Sequence, residues 1–293
     1  MLHARNDGRL RILQLTDFHH DGASDLAERT WRDIDRLVCM YRPHLLAVTG
    51  DIWCSDETPE LGPGRMMTEV DAIGKLGVPW AFCWGNHDWV DDLEKRQAQL
   101  AAAPNALMKR GDRRGNVRIE VHHKGRPVWD VFFINSEGEW RPDDHLHWFA
   151  EESARIKEER GDVLPALACF HIPLRDYEEA RLSGAYQGIA GEEVLCWGDD
   201  GSILDQFRAA GNVRLCFSGH SHRNDFRFEK QGITMVSGRC IGYPGYGELK
   251  RGATLLDLNV ATNDFAIATV FADGSVWRHA DAPPAVPQRF EPC

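Results

Sequence analysis

Five short polar clusters occur along the chain in one order: Asp17-Phe18-His19, Gly50-Asp51, Gly85-Asn86-His87-Asp88, His171 and Gly219-His220-Ser221-His222. They offer carboxylate, amide and imidazole groups without thiolate, a donor set that suits zinc, manganese or iron. The seven candidates, Asp17, His19, Asp51, Asn86, His171, His220 and His222, suffice for two divalent ions that share one carboxylate. Two such ions ~3.5–4 Å apart form a site suited to phosphoryl chemistry. Asp17 and His19 lie two apart at a strand end, so they project to one side and His20 points away. The same spacing joins His220 to His222. A lone histidine at a strand end is usually just polar, but His171 stands in order with four other clusters, which makes it a ligand.

The elements that must position these residues alternate between strand-like and helix-like, the pattern of an α/β fold. Buried strands are expected at Arg11–Thr16, Leu45–Thr49, Val78–Trp84, Leu167–Phe170 and Arg214–Phe217. Each candidate ligand falls just past the C-terminal end of one of them, the edge where open α/β sheets gather their ligands. Helices are expected from Ser24, as N-cap, to Tyr41, around Met66–Leu76, from Asp91 to Ala103 and from Asp143 to Arg160. Val117–Val121 and Val128–Ile134 read as a hairpin around Lys124-Gly125. Further strands are expected at Asp225–Phe228, Thr234–Val236, Ala253–Leu258, Phe265–Phe271 and Val276–His279. Residues 1–281 read as one domain and 282–293 as a proline-rich tail. Arg181–Asp200 reads as a glycine-rich loop between two ligands, facing substrate or simply connecting elements.

Composition narrows the partners. The formal charge is −11 over 293 residues, which disfavours nucleic acid and anionic membrane. Two divalent ions bring +4 and Asp17 and Asp51 return −2, so the site itself would be positive by roughly 2. No apolar run nears the ~18 residues that span a bilayer. The eight cysteines are scattered without a C-x-x-C pair, which fits a reducing compartment; a cytoplasmic protein is expected.

The ordered set D-x-H, GD, GNHD, H and GHSH resembles the calcineurin-like metallophosphoesterase superfamily. Phe170-His171-Ile172-Pro173-Leu174 and the loop Gly242-Tyr243-Pro244-Gly245-Tyr246-Gly247 resemble its purple-acid-phosphatase-like intracellular branch. The resemblance implies a four-layer α/β/β/α sandwich with two mixed β-sheets. It assigns Asp17, His19 and His222 to one metal, Asn86, His171 and His220 to the other, and Asp51 to both. It makes His87 the group that protonates the leaving oxygen. The chain departs from that pattern at Cys54. Purple acid phosphatases carry a tyrosine there and serine/threonine phosphatases an aspartate that orients the histidine. A tyrosinate–iron site is therefore not expected, and Asp56 and Asp88 become candidate partners of His87.

The implied reaction is attack on phosphorus by hydroxide formed between the two ions, with Asp51 and His87 as the catalytic residues. Proton transfer by His87 is typically worth ~10²–10⁴ in rate. A small phosphate ester is the expected substrate, and monoester hydrolysis is favoured. A phosphodiesterase, including one for cyclic nucleotides, uses the same ligands. A non-catalytic, metal-stabilised binding protein is the alternative of another class. Trp53 and Trp89 follow motif residues and are candidates for lining the site; Trp80 and Trp84 are expected in the core. Arg175, Arg223 and Arg239 fall near the motif edge as possible phosphate clamps, or as surface ion pairs.

Overall fold

The strands are short and apolar, and their alternating side chains serve two faces. Phe132, Ala168 and Cys216 face one layer of core, and Phe133, Cys169 and Phe217 the other. A sheet covered on both faces needs helices outside it. In the computed structural model, residues 1–55, 58–108, 115–136, 138–141 and 146–282 are described. The elements run β1 (Leu2–His3), β2 (Arg9–Leu15), α1 (Asp25–Tyr41), β3 (Leu45–Val48), α2 (Gly62–Lys75), β4 (Trp80–Phe82) and α3 (Leu93–Ala102). Then come β5 (Val117–His123), β6 (Arg126–Phe133), α4 (His147–Arg160), β7 (Ala166–Cys169), α5 (Arg175–Ser183), β8 (Gln187–Ala190) and α6 (Ile203–Ala210). The chain continues with β9 (Val213–Ser218), β10 (Asn224–Lys230), β11 (Ile233–Ser237), β12 (Ala253–Asn259), β13 (Asp264–Val270) and β14 (Val276–Trp277).

Two mixed sheets result. One has the order β1-β5-β6-β7-β9-β11-β10-β8 and the other β14-β13-β12-β2-β3-β4. One core holds the inner faces of both sheets together with Ile34, Leu37, Met66, Ile73 and Leu100 of α1–α3. A second core packs α4–α6, through Phe149, Ile156, Tyr177, Leu204 and Phe207, on the outer face of the first sheet. This is the expected sandwich. No helix of the described residues is long and apolar enough to cross a membrane.

Local chemistry sets the boundaries. Ser24 accepts the Ala27 N–H at 3.1 Å and starts α1. Lys124 and Gly125 both have positive φ, 49° and 77°, the two-residue turn that matches strand twist. The β5–β6 hairpin is therefore the expected one, lengthened at both strands.

Several expectations are corrected. The second half contains two helices beyond those expected, α5 and α6, and β8 lies inside Arg181–Asp200, where a loop was read. Among the described residues the helix expected from Asp143 begins at His147; Pro142–His145 lie outside them. The last strand ends at Trp277, and His279–Asp281 form a 3-10 turn instead. The proline-rich tail lies outside the described residues beyond Ala282.

Candidate metal centre

All five clusters meet at one edge of the sandwich, past the C-terminal ends of β2, β3 and β4 from one sheet and β7 and β9 from the other. Gln14 holds the two sheets in register beneath them. Its buried amide donates to Thr49 Oγ1 at 2.9 Å and to the Ser218 carbonyl at 2.8 Å. Thr16 Oγ1 adds a bond to the Thr49 carbonyl at 3.0 Å. Glycine is required where chains approach: a Cβ on Gly85 would overlap the Asp51 carboxylate, and one on Gly50 would sit 2.5 Å from His171 Nδ1.

Two groups of expected ligands form, beside a third made of His19, Cys54 and His87. Asp17, His19 and His222 present one ligand atom each within 4.8 Å of one another, and so do Asp51, His171 and His220. The Asp51 carboxylate touches both groups, with Oδ2 at 3.5 Å from His19 Nε2 and 3.1 Å from His171 Nε2. Asn86 joins the second group, its Oδ1 at 3.0 Å from His171 Nε2. All seven sequence-derived candidates are thus brought together. The pairing of His220 with His222 is corrected: they separate into different groups. His220 has φ of 76°, outside strand geometry, so the two-residue alternation does not operate there. Asp17, His19 and Asp51 are also left-handed, with φ of 58°, 53° and 54°.

The surroundings aim the lone pairs inward. His171 Nδ1 donates to the Thr49 carbonyl at 2.7 Å and His222 Nδ1 to the Tyr246 carbonyl at 3.2 Å, which turns both Nε2 atoms toward the centre. Backbone N–H groups steady the carboxylates: His220 donates to Asp17 at 3.0 Å and His87 to Asp51 Oδ1 at 2.9 Å. Burial pulls the His19 and His220 imidazoles down to about 4. Burial also opposes charge on His171, but the Asp51 carboxylate outweighs it and raises the imidazole to about 9. Burial likewise works against the Asp51 charge, and His171 outweighs it to hold the carboxyl far below its ordinary range.

This donor set fits divalent cations. His19 Nε2 and His222 Nε2 face each other at 2.9 Å, two basic nitrogens on neighbouring imidazoles. Asp51 Oδ2 and Asn86 Oδ1 converge on His171 Nε2 at 3.1 and 3.0 Å, three donor atoms close enough to share one cation.

His87 stands beside the groups, its ring 4.8 Å from that of His19. Its Nδ1 lies 3.7 Å from Cys54 Sγ, so the thiol occupies the position beside the histidine. Of the two expected partners, Asp56 lies outside the described residues and Asp88 is corrected. The buried Asp88 carboxylate accepts the N–H groups of Asp51 at 2.7 Å, Ile52 at 2.8 Å and Gly85 at 2.8 Å. It clamps the two motif turns to each other. Burial and then the Asp51 charge raise it to about 7.

The other expectations divide. His20 points away, bonded to Glu69 at 2.7 Å. Trp53 is fully buried against Phe82 and Trp84, so its expected place in the site is corrected to core. Trp89 is exposed and lines a cavity of about 360 Å³ beside Asn86, with Trp84, Val90 and Leu93. The arginines are engaged elsewhere: Arg239 is buried on Asp225 at 2.6 Å, Arg223 meets Glu248 and Arg175 meets Glu179. Sequence reading missed Trp197, whose ring sits 4.8 Å from His220, and the stacking of Tyr246 on His222 at 4.0 Å. An exposed tryptophan inside the glycine-rich Arg181–Asp200 segment was the available signal for the first.

The calcineurin-like phosphoesterase family model matches residues 10–224. The chain belongs to that family. It is similar to two Arabidopsis thaliana proteins, named probable inactive purple acid phosphatases 28 and 29. The first is 29% identical over 298 residues, covering 84% of this chain and 74% of that protein. The second is 25% identical over 304 residues, covering 86% and 78%. In structure the chain resembles a dimetal phosphatase from Danio rerio, with a TM-score of 0.60, 12% identity, and coverage of 89% of this chain and 95% of that one.

Proposed function

We propose that the chain is a catalytic, two-metal phosphoesterase acting on small phosphate monoesters. One observation carries this reading: the Asp51 carboxylate reaches the histidines of both ligand groups, as a bridge between two ions requires. Asp17, His19 and His222 would hold one ion, Asn86, His171 and His220 the other, and Asp51 both. When bound, two divalent ions supply positive charge for the phosphoryl oxygens and a nucleophile available near neutral pH. The chain's own work is to fix that geometry before substrate arrives. Thr49 and Tyr246 carbonyls orient His171 and His222, and Asp88 binds the Asp51 and Gly85 turns together. His87 holds a proton at its ring and passes it to the departing oxygen. The cavity lined by Trp84, Trp89, Val90 and Leu93 offers an apolar surface for the alcohol part of a small ester.

The names of the two plant relatives favour a second reading, a metal-stabilised protein without turnover. Metal content, with hydrolysis of p-nitrophenyl phosphate against its bis-ester, separates the readings. The catalytic reading expects close to two metals per chain and monoester turnover. Asp51→Asn should lose most of the metal and at least about a hundredfold in rate. Two metals with neither ester cleaved favours the second reading, a preference for the bis-ester favours a phosphodiesterase, and normal metal content with full turnover in Asp51→Asn defeats the site assignment.

A further inference from the structure

Beside Tyr243 of the Gly242–Gly247 loop, a cavity of about 420 Å³ is lined by Arg29, Arg32, Arg36, Lys250 and Arg251. Asp33 and Asp273 are the carboxylates in its wall, leaving a local excess of three positive charges in a chain of net charge −11. The sequence has no basic run here. The turns of α1 bring Arg29, Arg32 and Arg36 to one side, and the chain before β12 supplies Lys250 and Arg251.

The walls are only partly neutralised. Lys250 pairs with Asp273 at 2.6 Å and Asp33 takes the Tyr243 hydroxyl at 2.7 Å. Arg29 lies over the Tyr243 ring at 3.9 Å, which fixes its guanidinium at the rim. Arg251 ties the cavity wall to the neighbouring loop. It is 8% exposed, and its Nη2 donates to the carbonyls of Gly245, Tyr246 and Gly247. Its Nη1 is buried without a partner among the described residues. A buried guanidinium N–H with no acceptor is costly, and Arg251 is one of the residues in the wall of this cationic cavity.

We propose that this cavity is a second, non-catalytic anion site, which takes the phosphate group of a small soluble ligand among the guanidinium groups of Arg29, Arg32, Arg36 and Arg251. Guanidinium groups match phosphate oxygens in geometry and charge. The occupant would also touch the metal centre indirectly. Arg251 holds the loop whose Tyr246 carbonyl receives the His222 Nδ1–H. The assignment does not depend on whether the chain hydrolyses esters.

The test is calorimetric titration of the whole chain, as purified with its metals, with inorganic phosphate. Wild type is compared with the double variant Arg32→Glu/Arg36→Glu. Both side chains are exposed on α1, and melting without phosphate checks the fold. The proposal expects a phosphate-binding step in wild type that is weakened about tenfold or more in the variant. Adenosine monophosphate that displaces phosphate supports an organic phosphate as occupant; failure to displace supports free phosphate. Identical isotherms for the two proteins, or phosphate binding at the metal centre alone, overturn it.

Discussion

Cys54 beside His87 is the residue that distinguishes this site from the pattern its motifs follow. A thiol is a weak hydrogen-bond partner compared with a carboxylate, and the Sγ–Nδ1 separation of 3.7 Å is correspondingly long. It can still steady the imidazole ring in the orientation a proton donor needs. The effect should depend on the leaving group. Cys54→Ala should slow hydrolysis of an alkyl monoester by roughly tenfold, within the range a positioned acid contributes. p-Nitrophenyl phosphate, whose leaving oxygen needs little protonation, should change by about twofold or less. Equal losses on both substrates would remove Cys54 from any positioning role. The four ligands in left-handed conformation make a related point. Asp17, His19, Asp51 and His220 hold backbone angles that non-glycine residues seldom adopt, and such strain gathers where geometry serves a site.

The ligand edge depends on two sheets staying in register, and buried polar ties between them help to secure it. Gln14 is one. Asp225 of β10 is another: it accepts Arg239 at 2.6 Å, His279 at 2.6 Å and, from β13 in the opposite sheet, Thr269 at 2.7 Å. Burial disfavours the Asp225 charge, but His279 and then Arg239 outweigh it and lower the carboxyl below its ordinary 3.8. A lowered pKa contributes stability above 3.8 that is lost as pH falls through the folded value. Asp225→Asn should therefore cost about 3–5 kcal/mol near pH 7, because it leaves a buried guanidinium unpaired. The gap to wild type should narrow in acid below 3.8 as Asp225 itself takes up a proton. Urea unfolding at pH 7 and at pH 3 measures both, and a gap that widens in acid contradicts the assignment. Elements of this kind explain what could be read in advance. The apolar strands and the helices beside them were legible because their hydrophobic periodicity is strong, and every ligand followed from a strand end. α5 was not: RDYEEARLS is short and mostly charged, with Tyr177 and Ala180 as its buried apolar contacts. β8 was hidden by Gly188, which is required where Asp225 and Phe226 pass too close for a Cβ. The division of His220 from His222, and Asp88 as a backbone clamp, arise from contacts between distant segments that no local spacing encodes.

At the scale of the molecule, an acidic chain gathers nine side chains of the five motifs at one edge, and none of the nine is a lysine or arginine. Arg175, Arg223 and Arg239 are committed elsewhere. Divalent ions would bring positive charge to these carboxylates and imidazoles, so metal and stability should rise together. A divalent ion at about 100 times its Kd adds about 2.7 kcal/mol. Manganese returned to chelator-treated protein should raise Tm by roughly 5 °C. An unchanged Tm would mean that the two ligand groups do not bind it in the folded chain.

The Lys124-Gly125 turn lies at the end of the sandwich opposite the ligand edge, since β6 runs from that turn toward the metal groups. Trp129 Nε1, three residues into β6, is anchored to Asn263 Oδ1 at 2.8 Å, in the turn that joins β12 to β13 at the same end. A Cβ on Gly125 would meet nothing within 4 Å. The chain therefore has a ready handle: a peptide tag spliced between Lys124 and Gly125 would fasten the protein to a bead or sensor chip with its reactive mouth turned to the liquid. Tethered and free protein should turn over p-nitrophenyl phosphate within about twofold of each other, since insertions at exposed loop tips are well tolerated.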